Sequence, residues 1–146
     1  KAANRIITQG IDVGTGTGIL GIAGAKLGAD RVVCVDTDKK AVEIARENSE
    51  INEVCDRVEI RNKDVQSIHE PFELIVANLT AKILLKVRSH LLSLLQRNGY
   101  LVISGLIDQD RSDIETHFLV PPLAVHTTIS EKEWCCYVLK KGENGR

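Results

Sequence analysis

The sequence predicts an α/β fold: a doubly wound, mostly parallel sheet that closes with a C-terminal antiparallel hairpin. Three observations predict it. Apolar, β-tolerant runs alternate with amphipathic helical stretches along most of the 146 residues. One run, RVVCVD at 31–36, is continuously apolar, as in a parallel strand buried on both faces. The tail LAVHTTISEKEWCCYVLKK carries two strand-like runs around SEKE, the pattern of a hairpin.

A first strand is expected over about residues 7–13, where the chain reads TQGIDV after its polar start. The next stretch, TGILGIAGAKLGA, carries Ile19, Leu20, Ile22, Ala23 and Leu27 on a helical stripe, with Gly28 at the C-cap. After RVVCVD, the segment DKKAVEIARENSEI is amphipathic through Ala41, Val42, Ile44, Ala45 and Asn48. RVEIRNKD alternates Val58 and Ile60 with charged neighbours and reads as a strand ending near Asp64. FELIVANL (72–79) is a fourth strand. The long helix AKILLKVRSHLLSLLQ has Ile83, Leu84, Val87, Leu91, Leu94 and Leu95 on its apolar face, and Asn98-Gly99 is expected to stop it. YLVISG is a fifth strand, and a short helix fits 108–118. No repeat, linker or low-complexity stretch interrupts the pattern.

Composition narrows the function classes. With 43% hydrophobic and 27% charged residues the chain has an ordinary globular profile, and its length fits one domain. The 19 Lys and Arg nearly balance the 20 Asp and Glu, so a strong positive field for nucleic acid is absent. Aromatics at 3% are too few for a base-stacking platform. No run approaches the ~18 apolar residues of a membrane span, and the start KAANRIITQG has no signal-like core. A cytoplasmic protein with no membrane partner is expected. Cys34, Cys55, Cys135 and Cys136 form no CxxC pair, so reduced, buried thiols and no metal site are expected, with Cys135 and Cys136 facing opposite ways. Lys1 is not a translation start and the chain has no Met, so a shortened chain is expected.

In doubly wound sheets, ligands bind beyond the carboxyl ends of the strands. That rule singles out Asp12 to Gly18, Asp36, Asp64 and Asn78. The glycine loop IDVGTGTGIL reads in two registers. Taken as Gly16-x-Gly18-x-x-Gly21 it matches a dinucleotide fingerprint, but it starts after the strand has ended and leaves Asp12 facing a pyrophosphate. Taken as Asp12-x-Gly14-x-Gly16-x-Gly18 it places an acid first, which suits a ligand that is cationic there. S-adenosylmethionine, with an ammonium, a sulfonium and no phosphate, meets that condition. Asp36 can accept from both ribose hydroxyls, a feature that nicotinamide dinucleotides share; the alternative role is capping the next helix, which Thr37 or Asp38 would fill equally well. Asp64 can accept from an adenine amino group, or act as a solvated turn acid. Asn78 can accept from a substrate amine and orient its lone pair, or cap the next helix.

The stretches DVGTGTGILGIAGAKLGADRVVCVDTDKKAVEIARENSEIN, ELIVANLTAKILLKV, NGYLVISGLID and EWCCYVLKK resemble class I S-adenosylmethionine-dependent methyltransferases. More narrowly, they are similar to the catalytic domain of the bacterial ribosomal protein L11 methyltransferase family, over about residues 11–140. The resemblance implies a Rossmann-like methyltransferase fold, one domain over 1–146, and S-adenosylmethionine as cofactor with S-adenosylhomocysteine as product. It implies that Asp12, Gly14, Gly16 and Gly18 line the methionine part, that Asp36 holds the ribose, Asp64 with Val65 the adenine edge, that Asn78 faces the target amine, and that Thr15, Thr37 and Asn78 are also among the cofactor-binding residues. The acceptor it implies is an amino group of a ribosomal protein. The family's longer members carry an N-terminal recognition domain and a Gly-Thr-rich, His-containing segment before the first strand, to which KAANRIITQG does not correspond.

Methyl transfer from a sulfonium needs alignment more than acid–base groups, which accounts for the lack of a catalytic dyad. A base methyltransferase acting on RNA or DNA is the enzymatic alternative; the Pro-Pro-aromatic that often follows its Asn is replaced here by Leu79, Thr80 and Ala81, so direct nucleic-acid binding is not expected. A nicotinamide oxidoreductase fits Asp12 and the antiparallel hairpin poorly. From a different class comes a non-catalytic domain that binds S-adenosylmethionine without transferring its methyl group. His69, His90, His117 and His126 are expected at the surface or as caps, and Lys82, Lys86 and Arg88 on a solvated helix face. Trp134 is expected to pack the hairpin against the last helix. The oligomeric state is not legible.

Overall fold

The computed structural model describes residues 8–142. The chain divides into two units, 1–69 and 70–146. The opening KAANRII, including the expected start of the first strand at residue 7, lies outside the described residues.

The first unit contains β1 (Gln9–Val13), α1 (Ile19–Lys26), β2 (Arg31–Asp36), α2 (Lys39–Ile51) and β3 (Val58–Asn62). β2 lies between β1 and β3, parallel to both, with Asp12 opposite Cys34 and Asp36 opposite Asn62. Residues in register share a face of a sheet, so Asp12 and Cys34 point to the same side. That side is covered by α1, whose Ile22 and Ala25 cluster with Val32, Cys34, Val54 and Val58. α1 ends in two bonds of a Schellman motif, Gly28 N–H to Ala25 O and Ala29 N–H to Gly24 O, as expected of Gly28. The Arg57 guanidinium adds a donor to the same helix end through Ala25 O.

The helical stripe expected on α1 is corrected. The helix buries Gly21, Ile22 and Ala25, while Ile19 and Leu27 are 66% and 79% exposed. The helix is apolar nearly all round, so periodicity could not say which side meets the sheet; the small residues do, because they allow a close approach. On α2 the buried stripe is Val42, Ala45 and Ser49, with Ile44 exposed.

The second unit contains β4 (Phe72–Asn78), α3 (Ala81–Leu94), β5 (Leu95–Ile107), α4 (Arg111–His117), β6 (Leu123–Glu131) and β7 (Trp134–Lys141). β4 and β5 are parallel; β5–β7 and β7–β6 are antiparallel, and the last pair is the expected hairpin. α3 buries Leu84, Val87, Leu91 and Leu94, and Lys141 Nζ donates to Leu92 O and Leu95 O at its C-terminal end.

Three expectations for this unit are corrected, and one for the thiols of the whole chain. The long helix ends at Leu94, not at Asn98-Gly99, because Leu95 already takes an extended conformation. Asn98 and Gly99 instead lie inside β5, where a Cβ on Gly99 would stand 2.8 Å from Gln96 O and 2.9 Å from Glu73 O. Arg88 is not on a solvated face: its guanidinium lies over the Phe118 ring, 5.7 Å from the centroid, with Nε and Nη2 buried. Trp134 does not pack on the last helix and is 53% exposed. Strand alternation explains this, since Tyr137 Oη donates to Glu115 of α4 and so puts Trp134 on the other face of β7. Of the thiols, Cys34 and Cys135 are buried and Cys136 half-buried, whereas Cys55 is exposed, contrary to expectation.

Candidate cofactor site

Asp12, Asp36 and Asp64 stand at or just past the carboxyl ends of three adjacent parallel strands, so the first unit brings these sequence-selected acids to one rim. The loop from Gly14 to Gly18 joins β1 to α1, and Gly14, Gly16 and Gly18 all have positive φ (73°, 58° and 85°), open only to glycine without strain.

Four of the five backbone donors of this loop are already used. Gly14 and Thr15 N–H both donate to Val35 O, at 3.0 and 3.1 Å, and Gly18 N–H donates to Thr15 O at 3.0 Å. Gly16 N–H donates to Asp36 Oδ2 at 2.9 Å. A phosphate-binding nest turns such N–H groups toward its anion; here they are turned into the protein, and one of them holds a carboxylate. Those four donors are therefore not free for a phosphate.

Asp12 explains the acid that begins the loop. It is 2% exposed, and its Oδ2 accepts from Thr15 Oγ1 at 2.7 Å and from Gly21 N–H at 3.1 Å. Gly18, the N-cap of α1, has no side chain, so Asp12 supplies from β1 the acceptor that a capping residue would supply locally. Oδ1 is buried with no hydrogen-bond partner. Burial pushes the Asp12 carboxyl above its usual range, and the charge of Asp36 adds to this; the bonds from Thr15 and Gly21 oppose it. An unsatisfied carboxylate oxygen beneath the loop fits a cationic ligand group and disfavours an anionic one.

Asp36 is half-buried at the mouth. Besides Gly16, it accepts from Asp38 N–H through Oδ1 at 2.9 Å. It does not cap α2: Asp38 does, accepting from Lys40 N–H at 2.9 Å. Each carboxylate oxygen of Asp36 therefore keeps a lone pair for a hydroxyl donor. Thr37 is exposed between these two acids. Asp64 caps a single 3₁₀ turn over Val65–Ser67, accepting from Gln66 N–H at 2.9 Å through Oδ1, while Val65 is buried. Its other oxygen has no bond among the described residues.

Asn78 belongs to the second unit, at the end of β4 opposite Ser104 of β5. It is exposed and does not cap α3, which Thr80 does by accepting from Ile83 N–H.

Two residues that shape the site were not singled out as site residues from the sequence. Asn48 Nδ2 donates to Thr17 O at 2.9 Å and fixes the loop tip to α2. A Cβ at Gly21 would stand 2.3 Å from Cys34 Sγ, so this glycine answers to close helix–strand packing. Both carried a sequence signal of another kind: Asn48 in the amphipathic pattern of α2, Gly21 in the rival dinucleotide register.

A family model described as ribosomal protein L11 methyltransferase (PrmA) matches residues 3–142. The chain belongs to that family. Ribosomal protein L11 methyltransferases of Bacillus licheniformis and Caldicellulosiruptor saccharolyticus are 36% and 39% identical to it over 145 residues, which is 97% of this chain and 47% of each relative. The chain thus spans about half the length of the curated relatives it matches. Among solved structures, the ribosomal protein L11 methylase of Lactobacillus delbrueckii subsp. bulgaricus superposes with a TM-score of 0.88 at 28% identity, covering 94% of this chain and 71% of that one. An RNA methyltransferase of Salinibacter ruber in complex with S-adenosyl-L-homocysteine superposes at 0.76 with 23% identity, covering 93% of this chain and 82% of that one, and shows the shared fold alone. For a member of the L11 methyltransferase family, the mixed α/β fold, with seven strands among the described residues and a C-terminal antiparallel pair, is the Rossmann-like methyltransferase fold. Among the described residues no helix is long and apolar enough to cross a membrane.

Proposed function

We propose that this chain is the catalytic part of a methyltransferase that moves a methyl group from S-adenosylmethionine to protein amino groups, with ribosomal protein L11 as acceptor, and that residues 1–146 form one domain for this purpose. The observation that carries the cofactor assignment is the bond from Gly16 N–H to Asp36 Oδ2, which spends the central donor of the glycine loop on a carboxylate. A dinucleotide phosphate would compete with Asp36 for that donor; a ribose only adds hydrogen bonds to Asp36. The acceptor assignment is supported by the names of the relatives at 36–39% identity.

S-adenosylmethionine supplies a sulfonium methyl already activated for in-line displacement by an amine. The chain's residues bind and orient. Gly14, Gly16 and Gly18 are held at positive φ by the loop's ties to β2 and α2, and these three positions offer a cofactor bare backbone. Asp12 holds the start of α1 and leaves Oδ1 unpaired beneath the loop. Asp36, with Thr37 beside it, accepts ribose hydroxyls, and Asp64 with Val65 offers an acceptor and an apolar edge for adenine. Asn78 orients the target amine through its carboxamide oxygen. Once the methyl–nitrogen bond forms, the amine proton leaves to water, so no general base is needed.

Calorimetric titration of the chain with S-adenosylmethionine, S-adenosylhomocysteine and NADH, with Asp36→Ala as control, tests the cofactor. Binding of the first two, abolished in the control, is expected; binding of NADH alone would overturn the assignment. Incubation with ribosomal protein L11 and methyl-labelled cofactor then tests the acceptor: labelled amino groups are expected, and binding without transfer would make this a non-catalytic binding domain.

A further inference from the structure

The end of β5 departs from regular pairing beside Asn78. The register between β5 and β7 shifts between Ile103 and Leu106, and Gly105 within that shift has φ +79°. Such irregularities re-aim side chains near functional sites. A Cβ built on Gly105 would stand 2.4 Å from Asn78 Oδ1, 3.6 Å from Asn78 Cγ and 3.7 Å from Leu79 O. The Asn78 carboxamide therefore rests on the bare Cα of Gly105. Among the described residues no hydrogen bond holds that carboxamide. The last torsion of an asparagine side chain is soft, so contact with β5 is what limits where the oxygen can lie.

We propose that Gly105 is a positioning residue for methyl transfer: the missing side chain at the β5 irregularity forms the seat that places Asn78 Oδ1 for the acceptor amine. The proposal rests on the role assigned to Asn78. A methyl group at Gly105 would force the carboxamide oxygen outward by about 1 Å to reach ordinary contact distance, and a misplacement of that size costs about 100-fold in rate. Positive φ and lack of space act together, so no other residue substitutes without moving the amide. One side of Oδ1 is occupied by Gly105, and the amine meets the other.

A double-mutant cycle with Gly105→Ala and Asn78→Ala, read by chemical denaturation and by turnover on ribosomal protein L11, tests this. The stability loss from Gly105→Ala is expected to be smaller in the Asn78→Ala background, because the clash is gone. Turnover of Gly105→Ala is expected to fall by about 100-fold with S-adenosylhomocysteine affinity unchanged, and the double variant is expected to be no slower than Asn78→Ala alone. Wild-type turnover in a folded Gly105→Ala variant would overturn the proposal, as would equal stability losses in both backgrounds. If Gly105→Ala does not fold, recovery of folding in the double variant supports the seat, and its failure to recover assigns the glycine to the backbone alone. Normal turnover of Asn78→Ala would instead remove the role of Asn78, a separate failure.

Discussion

Gly16 and Asp36, twenty residues apart in sequence, are joined by a 2.9 Å bond from the loop N–H to the carboxylate at the end of β2. The bond makes Asp36 a brace for the glycine loop, and the proposed function gives it a second role as the acceptor of ribose hydroxyls. Its two roles can be separated by substitution. Asp36→Asn keeps one oxygen for Gly16 but loses the charge, and Asp36→Ala loses both. A hydrogen bond to a charged group contributes about 1.5–3 kcal/mol, so calorimetry is expected to show S-adenosylhomocysteine binding weakened about 10- to 100-fold in Asp36→Asn and further in Asp36→Ala.

Asp12 is buried and its carboxyl is raised above 3.8, chiefly by burial. A raised carboxyl favours the protonated form in the folded state, so the stability contributed by Asp12 is greatest below 3.8 and is lost as pH rises through the folded value. Asp12→Asn keeps an acceptor for Gly21 and Thr15 without the charge. Denaturation curves between pH 4 and 7 are expected to show a smaller fall in stability with rising pH for the variant than for the wild type. An unchanged slope would count against a charged Asp12 under the loop.

Gly21→Ala is expected to destabilise the fold by about 1–3 kcal/mol, the usual cost of overpacking a core. The new Cβ would meet Cys34 Sγ at 2.3 Å. Adding Cys34→Ala removes that obstacle and is expected to restore most of the loss, read as the urea midpoint of the single and double variants.

Asn78→Ala is expected to depress turnover by about 100-fold, as loss of an alignment group does, while S-adenosylhomocysteine affinity stays within about twofold of wild type. Steady-state rates and calorimetry on the same preparation decide it. Equal losses in both would make Asn78 a cofactor contact only.

Tyr137 Oη donates to Glu115 of α4 at 2.8 Å, and its hydroxyl is pushed up to about 12, with burial as the largest cause. The stability this confers is complete below pH 10 and is lost as pH climbs toward 12. Tyr137→Phe is expected to flatten that alkaline decline in a thermal melt series.

Much of the fold was legible because its signals are local. The β-branched run of β2, the C-cap at Gly28 and the turn at SEKE each act within a few residues, and each element formed where expected. The rim acids were legible for a related reason: strand ends in a parallel α/β chain share one side, so Asp12, Asp36 and Asp64 could be grouped before any contact was known. What failed was the choice of face and of partner. Periodicity could not orient α1, which is apolar all round, nor place Trp134, whose side of the strand is set by Tyr137 reaching α4.

Sequence alone determined the order of elements, the glycine loop with its leading acid, and membership of the L11 methyltransferase family. These depend on residue type and spacing along one chain. Tertiary structure decided what each polar group does: that Asp12 caps a helix from a strand, that Asp38 and Thr80 take the capping roles otherwise open to Asp36 and Asn78, and that Gly105 lies under the Asn78 carboxamide. Hydrogen bonds and steric contacts form between residues that folding brings within about 3 Å, and no spacing in the sequence encodes that distance.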